Sequence, residues 1–228
     1  MDFDTDSPLI FMPKCEGNLA TLVKSFRNNS TDLHRVCNQV LEEMLRALDY
    51  LAAKGYIHRD VKPVNVLWRY NSKSPGRRYH FQLGDFGLAN HFLMARTIVG
   101  TRMYMAPEFH NPDRLRQTPK VDIWSLFVTM AEILPHDVCN FPPNSWADSS
   151  HRGIIQAVRQ AAEADLLRQL RPMARVDPNL RASAAQMLLE IYGGEGLTTP
   201  RDDITPIQWD VVEPAAFPIG EQFSAQAA

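Results

Sequence analysis

A chain of 228 residues, 45% hydrophobic and 22% charged, can hold one large domain with a real core or two very small ones, and one is expected. A formal net charge of −2 gives no reason to expect nucleic acid or an anionic membrane as the main partner, and no apolar stretch approaches a bilayer span. Three widely spaced cysteines, Cys15, Cys37 and Cys139, match no zinc pattern, and the acidic start MDFDTDSPLI is unlike a secretory leader, so a soluble cytoplasmic or nuclear protein is expected.

In chain order, PLIFM at 8–12 reads as a short buried strand and PKCEGN as a turn. Leu33, Val36, Val40, Met44, Leu48 and Leu51 recur at three- and four-residue steps, which predicts an amphipathic helix. Thr31 and Asp32 suit its start and Gly55 its end. Two short strands are predicted near 65–68 and 79–83. Their link, RYNSKSPGRR, reads as a solvated hairpin connection in preference to a dock for an acidic partner.

The segment VDIWSLFVTMAEIL is apolar nearly all round and predicts a buried central helix, with Thr118 as cap and Pro119 in the first helical position. Helices are expected over 150–170 and from Ser183, where Ser183 and Gln186 suit a capping box. Beyond a domain at 1–192, residues 193–228 are rich in proline and small residues and are expected to be extended or disordered. The GGEG within them has neither the preceding strand nor the following lysine of a phosphate cradle.

Three motifs stand in order mid-chain. His58-Arg59-Asp60 leads to Lys62 and Asn65, then come Asp85-Phe86-Gly87 and Ala106-Pro107-Glu108. A lone His-Arg-Asp is more often a satisfied helix end, and a lone Asp-Phe-Gly an ordinary turn. Together, in this order and spacing, they resemble the eukaryotic Ser/Thr protein kinases from Leu9 to near Tyr192.

The resemblance implies ATP- and Mg²⁺-dependent phosphoryl transfer to Ser or Thr of a protein substrate. It implies Asp60 as the base that orients the substrate hydroxyl and Lys62 as the cation beside the moving phosphoryl group. Asn65 and Asp85 would be the Mg²⁺ ligands, hard oxygen donors suited to that ion. Met12 would be the gatekeeper, Pro13 and Cys15 the hinge, and Leu67 the floor under adenine. Asp122 would fasten the catalytic loop, Glu108 would pair with Arg181, and Arg59 would pair with a phosphate on Thr97. His58, Phe86 and Gly87 would be structural, with Phe86 in the core. Val64 stands where arginine-selecting kinases commonly carry Glu, so no strong choice of arginine before the target residue is expected.

Within this sequence only about a dozen residues precede the hinge positions, with no glycine-rich loop, strand lysine or partner glutamate among them. The fold is therefore expected to be α+β and predominantly helical: a kinase-like large lobe with short β-hairpins and most of the small lobe absent, unless supplied upstream or by a partner chain. Transfer by the chain alone is expected to be impaired. The alternative reading is a catalytically inactive kinase-like binding module.

Overall fold

The computed structural model describes residues 12–26, 30–71, 78–110, 117–134, 150–211 and 213. The fold is α+β and mainly helical. Strand β1 (Gly17–Asn18) runs directly into helix α1 (Leu19–Lys24), which Asn18 caps through its side chain on the Thr21 amide. Helix α2 (Ser30–Ala53) follows, and the periodic residues Leu33, Val36, Val40, Met44 and Leu48 are buried along one side of it. It stops at Gly55, whose φ of +82° suits glycine and whose missing Cβ would fall 2.5 Å from His91 Nε2.

Strands β2 (Tyr56–Ile57), β3 (Val66–Tyr70), β4 (Tyr79–Leu83) and β5 (Asn90–His91) form two antiparallel sheets. One has the order β1-β3-β4, with Asn18 opposite Leu67 and Val66 opposite Leu83. The other pairs β2 with β5. The expected hairpin is thus β3-β4. Most of its link, residues 72–77, lies outside the described residues, as does the expected strand at 8–12 apart from Met12, which is coil.

Helix α3 (Lys120–Ile133) passes through the middle of the domain, and Trp124, Leu126 and Phe127 are fully buried. The capping position falls on Pro119 instead of Thr118, so the helix starts one residue later than expected, and no side chain caps it. The helix expected over 150–170 is broken. Helix α4 spans His151–Ala161, and Asp165–Ala174 instead coils in 3-10 turns that contain Pro172. A proline has no N–H to donate and its ring clashes with the preceding turn, which disfavours a continuous α-helix there.

Helix α5 (Ala184–Tyr192) opens on the Ser183–Gln186 capping box, with both reciprocal hydrogen bonds present, and closes on Gly193. From Gly194 onward the described chain contains one 3-10 turn (Arg201–Asp203) and runs back over α2 and α5. No helix among the described residues is long and apolar enough to cross a membrane.

Candidate active site

The loop from His58 to Asn65 joins β2 to β3 and hangs on one buried carboxylate. Asp122, in the first turn of α3, accepts the His58 amide at 2.7 Å and the Arg59 amide at 2.8 Å. Burial raises the Asp122 carboxyl, while these two N–H groups and the neighbouring His58 and Arg59 favour its charged form. Arg59 has a φ of +69°, an uncommon conformation for a non-glycine residue, and the paired amides hold it there. His58 is buried with its Nδ1 accepting the Asp60 amide at 3.3 Å, which leaves Nε2 to carry the proton and donate to the Gly84 carbonyl at 2.9 Å.

Four donors converge on the Asp60 side chain. Lys62 Nζ lies 2.7 Å from Oδ2 and Asn65 Nδ2 2.9 Å from the same oxygen. The Thr101 hydroxyl and amide reach Oδ1 at 2.9 and 3.2 Å. Burial alone would raise this carboxyl, but the bonds from Lys62, Thr101 and Asn65 and the Lys62 charge outweigh it and hold Asp60 below the usual carboxylate range.

Thr101 arrives by way of Gly100, whose φ is +114° and whose absent Cβ would lie 2.4 Å from the Arg59 carbonyl oxygen. Only glycine lets the segment come this close to the loop. The need for glycine at this position had no local signal, because it arises from a segment about 40 residues away in sequence.

Asp85 follows β4 in a left-handed conformation, with a φ of +59°. Its strand end is locked to the loop because the Gly84 amide donates to the Asn65 carbonyl at 2.8 Å. The Asn65 side-chain nitrogen is spent on Asp60, at 2.8 Å to the backbone carbonyl and 2.9 Å to the carboxylate, so its side-chain oxygen faces the other way. The Asp85 carboxylate is exposed and, among the described residues, accepts a long 3.4 Å bond from Gly87. An amide oxygen and a carboxylate, both hard and neither saturated, fit a Mg²⁺ that takes its other ligands from phosphates and water. Among the described residues no cluster of three His, Cys, Asp or Glu offers a fuller metal cage.

Leu67 lies beside this pair, packed so close to Gly84 that a Cβ there would meet its Cδ1 at 2.7 Å. The segment holding Pro13 and Cys15 runs alongside β3, with the Glu16 amide bound to the Trp68 carbonyl at 2.9 Å and Gln82 Nε2 3.2 Å from Cys15 Sγ. Met12 is 78% exposed.

Phe86 corrects an expectation. It is 50% exposed, outside the core, and packs edge-on against His58 with ring centroids 5.0 Å apart. Burial of a side chain depends on what covers it, and His58 is the one aromatic neighbour it has among the described residues.

Glu108 and Arg181 form a buried bidentate pair at 2.7 and 2.9 Å. The remaining Arg181 donors go to the carbonyls of Arg175, Lys120 and Val176, and the guanidinium lies 5.2 Å from the centre of the Trp124 ring. Arg59, for its part, reaches the Leu88 carbonyl with Nε and the Thr97 hydroxyl with Nη1 at 3.1 Å. Gln117, which sequence reasoning missed, holds the Thr97 carbonyl at 2.8 Å.

A carboxylate fixed by lysine, threonine and asparagine, beside an amide oxygen and an exposed carboxylate, is compatible with phosphoryl transfer. The chain belongs to the protein kinase family: the description "Protein kinase domain" matches residues 3–192. It is 33% identical over 198 residues to Serine/threonine-protein kinase Nek6 of Oryza sativa subsp. japonica, covering 82% of this chain and 34% of that protein. It is 31% identical over 200 residues to Calcium-dependent protein kinase 8 of Arabidopsis thaliana, covering 81% and 34%. An Aurora kinase of Yarrowia lipolytica is 29% identical over 177 residues, covering 73% and 43%. The chain thus spans about a third of the length of the first two of these relatives.

The match corrects the reading of the chain as a large lobe with most of the small lobe absent. It begins at residue 3, ahead of Met12, and supports a bilobal kinase domain, sheet lobe and helical lobe together. The expected impairment of transfer rested on that reading and loses its ground with it.

Proposed function

We propose that this chain transfers the γ-phosphoryl group of ATP to Ser or Thr hydroxyls of protein substrates, with Mg²⁺. The observation that carries the reading is the Asp60 carboxylate, kept ionised and aimed by Lys62, Asn65 and Thr101. Asp60 accepts the hydrogen bond of the incoming hydroxyl and takes its proton as the oxygen attacks. Lys62, already between Asp60 and Thr101, offsets negative charge on the transferred group. Asn65 and Asp85 would hold Mg²⁺, which when bound neutralises phosphate charge. Leu67 supports the adenine ring, with Met12, Pro13 and Cys15 along its edge.

Two further roles belong to the same reading. Arg59 donates to the Thr97 hydroxyl, so a phosphate on Thr97 would meet a guanidinium already in place and tie the segment to the catalytic loop. The described cysteines, Cys15 and Cys37, are free thiols, which suits a reducing cytoplasmic or nuclear setting.

The test is transfer of label from γ-labelled ATP with Mg²⁺ to a mixture of Ser, Thr and Tyr peptides. Labelled Ser or Thr that requires Asp60 is the expected result. Label confined to Tyr, or label that persists in Asp60→Asn, would overturn the reading.

A further inference from the structure

Beyond the transfer site, the segment after α5 forms a strap held by one buried charge. Asp49, on α2, is 1% exposed, and no basic side chain pairs with it among the described residues. Among the described residues its carboxylate takes its hydrogen bonds from the strap. The Thr198 amide donates to Oδ2 at 2.7 Å, the Thr199 amide to the same oxygen at 3.1 Å, and the Thr199 hydroxyl to Oδ1 at 2.5 Å. The strap then covers a cavity of about 470 Å³ whose walls include Leu48, Lys120 and Ile123 on the helix side and Thr205 and Ile207 on the strap side. Further along, Gln186 holds the Thr205 carbonyl at 2.8 Å and Arg175 binds the Trp209 carbonyl at 3.3 Å.

The Thr199 hydroxyl is one of the three donors of this latch, and the one that a modification can remove. We propose that Thr199 is a phosphorylation site, modified by a proline-directed Ser/Thr protein kinase, and that its phosphate releases the strap from Asp49. In the reaction the Thr199 hydroxyl oxygen bonds to the γ-phosphorus of ATP as the bond to the β-phosphate oxygen breaks. ADP leaves, and the hydroxyl proton passes to the modifying enzyme's base.

Three observations select this residue. Pro200 follows it directly and is exposed (φ −56°, ψ 139°), just ahead of the 3-10 turn at Arg201–Asp203, so the proline that such a kinase reads lies at the surface. Thr198 is followed by Thr instead of Pro, and only its backbone contacts Asp49. Thr199 is partly exposed, so brief local opening gives access. Once in place, a phosphate carries about −1.5 to −2 charges and has lost the hydroxyl donor. It would sit against a buried carboxylate that no cation among the described residues pairs with, so the bound and phosphorylated states exclude one another.

The test treats the full chain with ATP, Mg²⁺ and a purified proline-directed kinase, locates phosphate by mass spectrometry and follows amide hydrogen exchange over 196–209. The expected result is phosphate on Thr199 and exchange at Thr198, Thr199 and Ile204–Trp209 faster by about tenfold or more, the scale of losing a hydrogen bond to a charged group. In Asp49→Asn, whose amide can donate to a phosphate, phosphorylation should accelerate exchange less, each protein being compared with its own unmodified form. Absence of phosphate on Thr199 of the wild type, unchanged protection in the phosphorylated chain, or equal acceleration in Asp49→Asn would each overturn the proposal.

Discussion

Lys62 Nζ lies 2.7 Å from Asp60 Oδ2 and 2.7 Å from Thr101 Oγ1, so one cation braces both the carboxylate of the His58–Asn65 loop and the hydroxyl of the segment that crosses it. Thr101 in turn donates to the other carboxylate oxygen at 2.9 Å. The three residues close a ring, and the Asp60 carboxyl is held low by that ring against the opposing effect of burial.

A pH prediction follows from the sign of this shift. A carboxyl held below its ordinary value favours the folded, ionised state above the usual carboxylate range, about pH 4, and that contribution is lost as pH falls through the lowered value. Thr101→Val removes the hydroxyl bond while keeping the shape. It should move the acid limb of the kcat/KM profile to higher pH and lower the plateau by about tenfold. Thr101→Ser should leave the limb in place. An unchanged acid limb in Thr101→Val would mean that the ring does not set the Asp60 titration.

Arg181 is a structural cation whose loss should register as stability. Its five donors are all used, two of them on a Glu108 carboxylate that is almost fully buried. Arg181→Met leaves that charge unpaired and should cost about 3–5 kcal/mol in urea unfolding. Arg181→Lys should recover little, because an ammonium cannot reproduce the planar fork. Adding Glu108→Gln to Arg181→Met should restore part of the loss. A cost within about 0.5 kcal/mol for Arg181→Met, the range of ordinary surface changes, would contradict the assignment.

These two sites also mark how much was legible in the sequence. The loop from His58 to Asn65, the Asp85 turn and the Glu108–Arg181 pair could be placed because each carries a dense local motif, and the α3 and α5 helices because their patterns are periodic. The break after Ala161 was not legible, since an apolar repeat continues past it and only the turns around Pro172 decide against a single helix. Phe86 carried a core-like residue type in a place where the covering atoms, which no local pattern reports, are few. The contact between Thr199 and Asp49 spans 150 residues and joins two polar side chains that fit no pattern of either segment.

The Arg59–Thr97 contact predicts a regulatory response. Phosphate on Thr97 should be found in protein taken from its native cell, and should slow amide exchange between Leu88 and Thr101 by adding charge-assisted bonds to Arg59. Thr97→Ala should lower the activity of the phosphorylated preparation severalfold while leaving the melting temperature unchanged. Equal activity of wild type and Thr97→Ala would remove the role.

The proposed transfer carries an expectation about substrate choice from what the His58–Asn65 loop presents. Val64 is 47% exposed just before Asn65 and offers no charge to an arginine. A guanidinium brought there would lose hydration without a partner. A peptide array should therefore display no strong enrichment of arginine two or three positions before the target Ser or Thr. Val64→Glu should create such a preference. Strong arginine selection by the wild type would sink this part of the account.

The most direct test of the central claim is the single-turnover rate of phosphoryl transfer from Mg·ATP to a Ser/Thr substrate, compared between the wild type and Asp60→Asn. Asparagine keeps the size of the side chain and an acceptor for Thr101 but loses the charge and the proton acceptor. The account predicts that transfer falls by about 10²–10⁴ in Asp60→Asn, in a chain that stays folded by circular dichroism but melts lower because Lys62 and Asn65 lose their carboxylate. Transfer at the wild-type rate in Asp60→Asn would contradict it.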